Sequence, residues 1–355
     1  MRFGAHHYVP VLKVKRAEKK ALQCISPSVR ARIIPLLEIV ERKPDTASTI
    51  GKHLDNAFAQ LANSVSPYSR CFLDTREIAA DGAGAAAEVF RRASSAGMVF
   101  TPVTGISRNV DVAPALEHRT HGIALRVIRR EFECGRLGSE IEAFLHRHEL
   151  EPENVDLIID LGTVEDLIAV GIATLSKEFM DDIPHHKRWH TFTISACAFP
   201  KSMGRVERKS HHFTAREEWI AWTDHLHELR HNLLRLPTFS DCAIQNPVGV
   251  EGFDPRTMQV SASIRYTLSD AWLLIKGEST RVTRPGAQFP EIATSLVYGH
   301  LQRHFVGGDH CVGCASMKAA ADGTSGFGSA EAWRRLGTIH HISMVVEGLR
   351  SLPGS

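Results

Sequence analysis

The chain has 355 residues, 43% hydrophobic and 23% charged, the balance of a soluble globular protein with room for one large domain or two ordinary ones. Its 42 Lys and Arg stand against 40 Asp and Glu, and a formal charge of +2 singles out no polyanionic partner. Seven scattered cysteines do not make a disulfide framework, MRFGAHHYVP is not a secretory signal, and no stretch approaches the roughly 20 apolar residues of a membrane helix. A cytoplasmic protein with reduced thiols and no membrane partner is the expectation.

In chain order, Tyr8 to Lys15 alternates as a strand, with Val9, Val11, Lys13 and Lys15 on one face. A helix over 16–24 follows, then a second strand from Ile33 to Val40, where Glu38 ends an apolar row and Pro35 is an awkward presence. Helical spacing of Ile50, Leu54, Phe58 and Leu61 leads to a third strand at 70–75, which closes on Asp74 and is followed by Arg76. An alanine-rich helix at 82–96 stops at Gly97. Further strands are expected at 98–104, 122–128 (with Arg126), 155–161 (with Asp160), 190–197 and 237–244 (with Asp241). Helices should fill 110–119, 138–148, 163–181 and 214–233 between them.

Eight apolar runs alternating with helical patterns predict an α/β protein, a (β/α)8 TIM-barrel-like fold, with an open doubly wound sheet as competitor. After residue 245 the pattern changes. Residues 259–278 read as a hairpin turning at Ser269-Asp270, 291–305 as a helix, and 330–349 as one or two helices broken near Gly337. Residues 1–250 are thus expected to form the barrel core, and 251–355 a C-terminal hairpin and helices completing or capping it.

The chemistry is expected where strands end in charge, because α/β proteins build sites at the C-terminal ends of parallel strands. Lys13, Lys15, Arg76 and Arg126 are candidate ligand-binding cations there, and Glu38, Asp74, Asp160 and Asp241 candidate catalytic acid/base groups or ligands for a divalent cation. The competing expectation is a salt-bridge network that plugs the barrel, since buried charges must be paired or used. The 201–209 segment, KSMGRVERK, is placed to clamp phosphate without carrying a specific phosphate motif. No nucleotide-binding or hydrolase fingerprint occurs, and the cofactor is unknown.

His310-Cys-Val-Gly-Cys314 offers two soft ligands at zinc-like spacing, with His310, His340 or His341 to complete a tetrahedron. No second spaced pair accompanies it, so a loop bearing two unpaired thiols is expected and no metal ligand is assigned. Paired histidines at 185–186, 211–212 and 340–341 are read as surface or supporting residues. Residues 185–235 are rich in Lys, Arg and His, which makes a second, non-catalytic reading: an interaction surface for a partner protein or nucleic acid.

Five short motifs occur in an order that resembles the bacterial and phage Beta protein family, first named from a T-even bacteriophage. They are Tyr8-Val-Pro-Val-Leu-Lys13, Ile34-Pro-Leu-Leu-Glu-Ile39, Leu73-Asp-Thr-Arg76, Ser240-Asp241 with Asn246-Pro247, and Ile264-Arg-Tyr-Thr267. The resemblance covers about residues 6 to 350 and carries over no catalytic residue. What it implies is a protein of mobile and phage-related regions, acting in phage–host conflict, that is, in antiviral defence. A phosphorylated or nucleotide-like ligand at the barrel mouth, and a partner protein from the same defence system, are the expectations that follow.

Overall fold

The computed structural model describes residues 3–42, 49–248, 261–279, 285–326 and 328–353. Each apolar run becomes a strand: β1 Tyr8–Lys13, β2 Leu36–Glu38, β3 Cys71–Asp74, β4 Phe100–Thr104, β5 Ile123–Ile128, β6 Val155–Thr163 and β7 Thr191–Cys197. Then come β8 Ser210–Ala215, β9 Thr238–Asp241, β10 Ser261–Thr267 and β11 Ala271–Ser279. Strands β1 to β7 and β9 form a closed barrel in that order, and every pairing in it is parallel. The open-sheet alternative is therefore excluded, because β1 is hydrogen-bonded to β9 from Tyr8–Phe239 to Pro10–Asp241.

Register carries the strand-end charges to one level. Lys13 lies opposite Glu38 and Glu38 opposite Asp74, while Ile128 lies opposite Asp160 and Asp160 opposite Ser195. Pro35 stands just before β2, where its missing N–H costs nothing and its carbonyl still accepts from the Phe72 amide at 2.9 Å.

The remaining strands make a three-stranded antiparallel sheet in the order β10-β11-β8. Alternation along β11 turns Trp272 and Leu274 toward the barrel core and Leu273 and Ile275 toward a second apolar cluster with Phe289, Met317 and Trp333. The sheet is thus covered on both faces, by the barrel and by the C-terminal helices. No helix among the described residues is long and apolar enough to cross a membrane.

Several local expectations need correction. Strand β6 runs on to Thr163, and the helix expected from 163 begins at Ala169, whose amide is capped by the Glu217 carboxylate at 2.8 Å. Strand β8 takes residues 210–213, for which no element was expected, and 214–215, which were expected to open the 214–233 helix. The glycine-rich segment around His310 holds a helix, Val312–Ala321, and the last helix runs unbroken from Ala330 to Ser351. Gly337 does not break it; a Cβ there would lie 2.8 Å from the Arg265 carbonyl oxygen, so the glycine sets how closely helix and β10 approach. The paired His340 and His341 are fully buried, not on the surface. The boundary expected at residue 250 falls outside the described residues.

Candidate functional site

At the C-terminal end of the barrel, Arg126 crosses the interior from β5. Its guanidinium reaches Glu38 of β2 at 2.7 Å, Asp74 of β3 at 2.7 Å and Asp160 of β6 at 2.8 Å. Those strands are not neighbours of one another throughout, so the fork spans the lumen. Arg76 lies above it, reaching Asp160 at 3.0 Å and Glu38 at 3.3 Å, and Arg108 braces Asp74 from the side at 2.7 Å. Arg108 is in turn held by Asp111, which accepts from the hydroxyls of Thr75 at 3.0 Å and Thr104 at 2.7 Å.

This wiring sets the electrostatics. Burial alone would raise the Asp74 carboxyl, but Arg108, Arg126 and Arg76 outweigh it and hold the group well below the usual carboxylate range. Asp160 is likewise lowered, its burial outweighed by Arg126 and Arg76. Burial opposes the charge on Arg126, yet its three carboxylates push its pKa above the ordinary arginine value. Asp74 and Asp160 stay ionised and occupied. A second buried fork lies at the opposite end, where Arg70 grips Asp156 through both guanidinium nitrogens at 2.7 and 2.8 Å. The lumen is closed by an ion-paired plug at each end.

The structure therefore brings Glu38, Asp74, Asp160, Arg76 and Arg126 together, as expected, and also Lys13, which donates to Glu77 at 2.8 Å and to the Pro247 carbonyl at 2.7 Å. It does not bring Asp241. That side chain points outward from β9 toward the last helix, where it accepts from the Tyr8 hydroxyl and meets His341 Nε2 at 3.0 Å. The alternation of β9 explains the miss: Ser240 and Asp241 fall on opposite faces, and the acid takes the outer one. Burial would raise Asp241, but His341, Arg216 and Tyr8 together lower it.

Above the plug opens a cleft of about 1560 Å³. Lys13, Lys15 and Arg76 line it from the first and third strand ends, Arg129 and Arg130 from the end of β5, and Lys201 from beyond β7. Arg265 of β10, Lys276 of β11 and Arg334 of the last helix close the far wall. Glu41, Glu77 and Asp160 are the acids of the lining, so nine cations face three carboxylates.

Five of the nine have no carboxylate partner among the described residues. Lys15, Arg130 and Arg334 make no side-chain ion pair, Lys276 donates only to the Met203 and Val206 carbonyls, and Arg265 donates to the Ile244 carbonyl at 2.6 Å while lying 5.1 Å from the Phe199 ring centre. Their crowding is felt. Desolvation and the charge of Arg334 draw Arg265 down to about 10, and desolvation together with Lys13 lowers Lys15. Burial and the nearby Glu38 push Glu77 up. Sequence reasoning named Lys15 and missed Arg130, Arg265, Lys276 and Arg334. Arg130 follows its strand directly and was within reach of the strand-end rule; the other three come from elements whose docking over the mouth no local pattern announces.

Among solved structures, a triosephosphate isomerase from Bartonella henselae is similar at 9% sequence identity and a TM-score of 0.26, over 66% of this chain and 92% of that one. The barrel itself rests on the strand pairing described above. No curated protein matches the chain. The family comparison is broader: the Beta protein family matches residues 8–347, a span that takes in all eight barrel strands, the charged mouth and the elements that roof it. The chain belongs to the Beta protein family.

Proposed function

We propose that the cleft over the C-terminal mouth binds an anionic ligand of the phosphorylated or nucleotide-like class. The observation that carries this reading is the set of five unpaired cations, Lys15, Arg130, Arg265, Lys276 and Arg334, converging on one cavity from five different elements. Holding nine like charges over three carboxylates is unfavourable, and a bound polyanion relieves it. Glu38, Asp74 and Asp160, expected as acid/base groups, serve here as the arginine-braced floor of the cleft. The volume exceeds the 300–1,000 Å³ typical of small-ligand sites, which favours a ligand with more than one phosphate.

The basic stretch over 185–235 supports an interaction surface less well. Arg188 is paired with Glu151 and Glu153, Lys209 and Arg208 lie beside Glu278, and β7 within the stretch is buried. The setting we propose for the cleft is phage–host conflict, which the family's association with phage-related regions supports.

The test is binding of a fluorescent nucleoside triphosphate at low and at physiological ionic strength, with wild type and with the double variant Lys15→Glu/Arg334→Glu. Saturable binding that weakens with salt, and falls at least roughly tenfold in the double variant, is expected from loss and reversal of two cleft charges. Absence of saturable binding at low salt, or equal binding by both proteins, overturns the proposal. A plaque assay with the same pair of proteins tests the setting: protection by wild type should be lost in the variant, and an equal plaque count refutes it.

A further inference from the structure

We infer that His310, Cys311, Cys314 and His340 form a zinc site that ties the Val312–Ala321 helix to the Ala330–Ser351 helix. One ligand atom from each of His310, Cys311 and His340 lies within 4.8 Å of the others. Cys314 Sγ stands at the edge of that group, outside its 4.8 Å span but 3.2 Å from His340 Nδ1, and the Cys314 amide lies 3.4 Å from Cys311 Sγ. Zn–N and Zn–S bonds of about 2.0 to 2.3 Å in a tetrahedron place ligand atoms roughly 3.3–3.8 Å apart. His310, Cys311 and His340 need only a small contraction to reach that geometry, with the Cys314 thiol swinging in from beside His340 to complete it.

The histidine orientations argue for a metal more strongly than proximity does. A zinc-bound imidazole presents one nitrogen to the metal and donates its other N–H to a carboxylate or carbonyl. His340 Nε2 faces the Thr267 carbonyl at 2.8 Å, which assigns the proton there and leaves the Nδ1 lone pair turned to Cys314. His310 Nδ1 faces the Glu347 carboxylate at 3.2 Å, and its Nε2 is buried with no hydrogen-bond partner. Both rings are thus held by their far nitrogens with a ligand nitrogen left over, and an orphaned buried nitrogen is a cost that a bound cation removes.

The surroundings fit a closed structural site. The Tyr266 ring stacks on His340 with centroids 3.9 Å apart, and its hydroxyl reaches Cys314 Sγ at 3.7 Å. Gly313, between the two cysteines, has no room for a side chain: a Cβ would lie 2.5 Å from the Leu336 carbonyl oxygen, so the helices cross in close contact at this point. All four donors are soft or borderline, the set that selects zinc over magnesium or calcium.

The full chain, purified under reducing conditions, should contain about one zinc per molecule by elemental analysis. After chelation it should take up Co2+ with the absorption of thiolate-to-cobalt charge transfer. Glu347→Gln, at an exposed position that leaves folding intact, should weaken zinc affinity roughly 10–100-fold in a chelator competition, because it frees the His310 ring. His310→Ala should weaken it further. Failure of the reduced protein to take up either metal overturns the inference, as does a spectrum without thiolate ligation. Undiminished affinity in both Glu347→Gln and His310→Ala also overturns it. A Cys311–Cys314 disulfide that persists through reduction and leaves no metal uptake counts as the same failure.

Discussion

Replacing Arg126 by Met tests the plug directly. The guanidinium is 1% exposed and bonds three carboxylates, Glu38, Asp74 and Asp160. With Asp111, which holds Arg108, the inner cluster sets four acids against Arg126, Arg76 and Arg108, so the substitution raises the excess of buried negative charge from one to two. Breaking a buried pair by removing one partner costs about 3–5 kcal/mol. At neutral pH that corresponds to a fall in Tm on the order of 10 °C. The pH dependence has a definite sign. Asp74 and Asp160 have depressed folded-state pKa values, so their contribution is present above the unfolded carboxylate range near 4 and is lost as pH falls through the folded values. Without Arg126 those folded values rise, the carboxyls accept protons sooner, and the deficit against wild type should shrink between pH 7 and pH 4. Arg126→Lys should fall between the two, keeping the charge but losing the fork. Urea and thermal melts followed by circular dichroism at the two pH values measure this. A deficit below about 1 kcal/mol at pH 7, the level of an exposed pair, would refute the reasoning; so would one that fails to narrow in acid.

Glu218 makes the opposite prediction. It is buried with neither carboxylate oxygen hydrogen-bonded, and burial together with the Asp241 charge pushes it up to about 8. An acid with a raised folded value loses stability as pH climbs from about 4.5 toward 8, so Glu218→Gln should flatten that decline and be more stable than wild type at pH 8, by a few kcal/mol at most. Parallel thermal melts with the same slope in both proteins would dismiss it. Gly337→Ala adds a Cβ 2.8 Å from the Arg265 carbonyl and 2.9 Å from Ile244 Cδ1. Overpacking of this kind costs about 1–3 kcal/mol, read as an earlier denaturant midpoint; an unchanged midpoint would mean that the helix yields freely.

The barrel was legible because fully buried parallel strands leave continuous apolar runs, and because Glu38, Asp74, Arg126 and Asp160 end them at one level. Closure was not, since Tyr8 and Phe239 lie far apart in sequence and only their register shows that they pair. The strand-end rule brought Arg126 to the mouth correctly but took no account of which face each residue occupies, and so misplaced Asp241, whose neighbour Ser240 takes the inward face. Gly337 looked like a helix break because sequence alone cannot separate a glycine that ends a helix from one that admits a neighbouring backbone. The far wall of the cleft was hidden for a related reason: Arg265, Lys276 and Arg334 belong to a sheet and a helix whose docking is decided by the second apolar cluster, not by local pattern. Arg70 and Asp156 sit before their strands' apolar runs, where the strand-end rule does not look.

The pairing of β1 with β9 has a consequence for synthesis. At roughly 5–20 residues per second on the ribosome, the first strand waits on the order of ten to fifty seconds before its partner exists. Throughout that interval the growing sheet has two unpaired edges, each a template for strands of other nascent chains. Completion then depends on contacts of very high sequence separation, the class that slows folding most. Tyr8, Asp241 and His341 meet at this seam, so the last helix latches a closure begun by the first strand. Refolding of the full chain from denaturant is accordingly expected to be slow, and shielding by a chaperone during translation matters more for this architecture than for a protein whose neighbouring strands pair as they emerge.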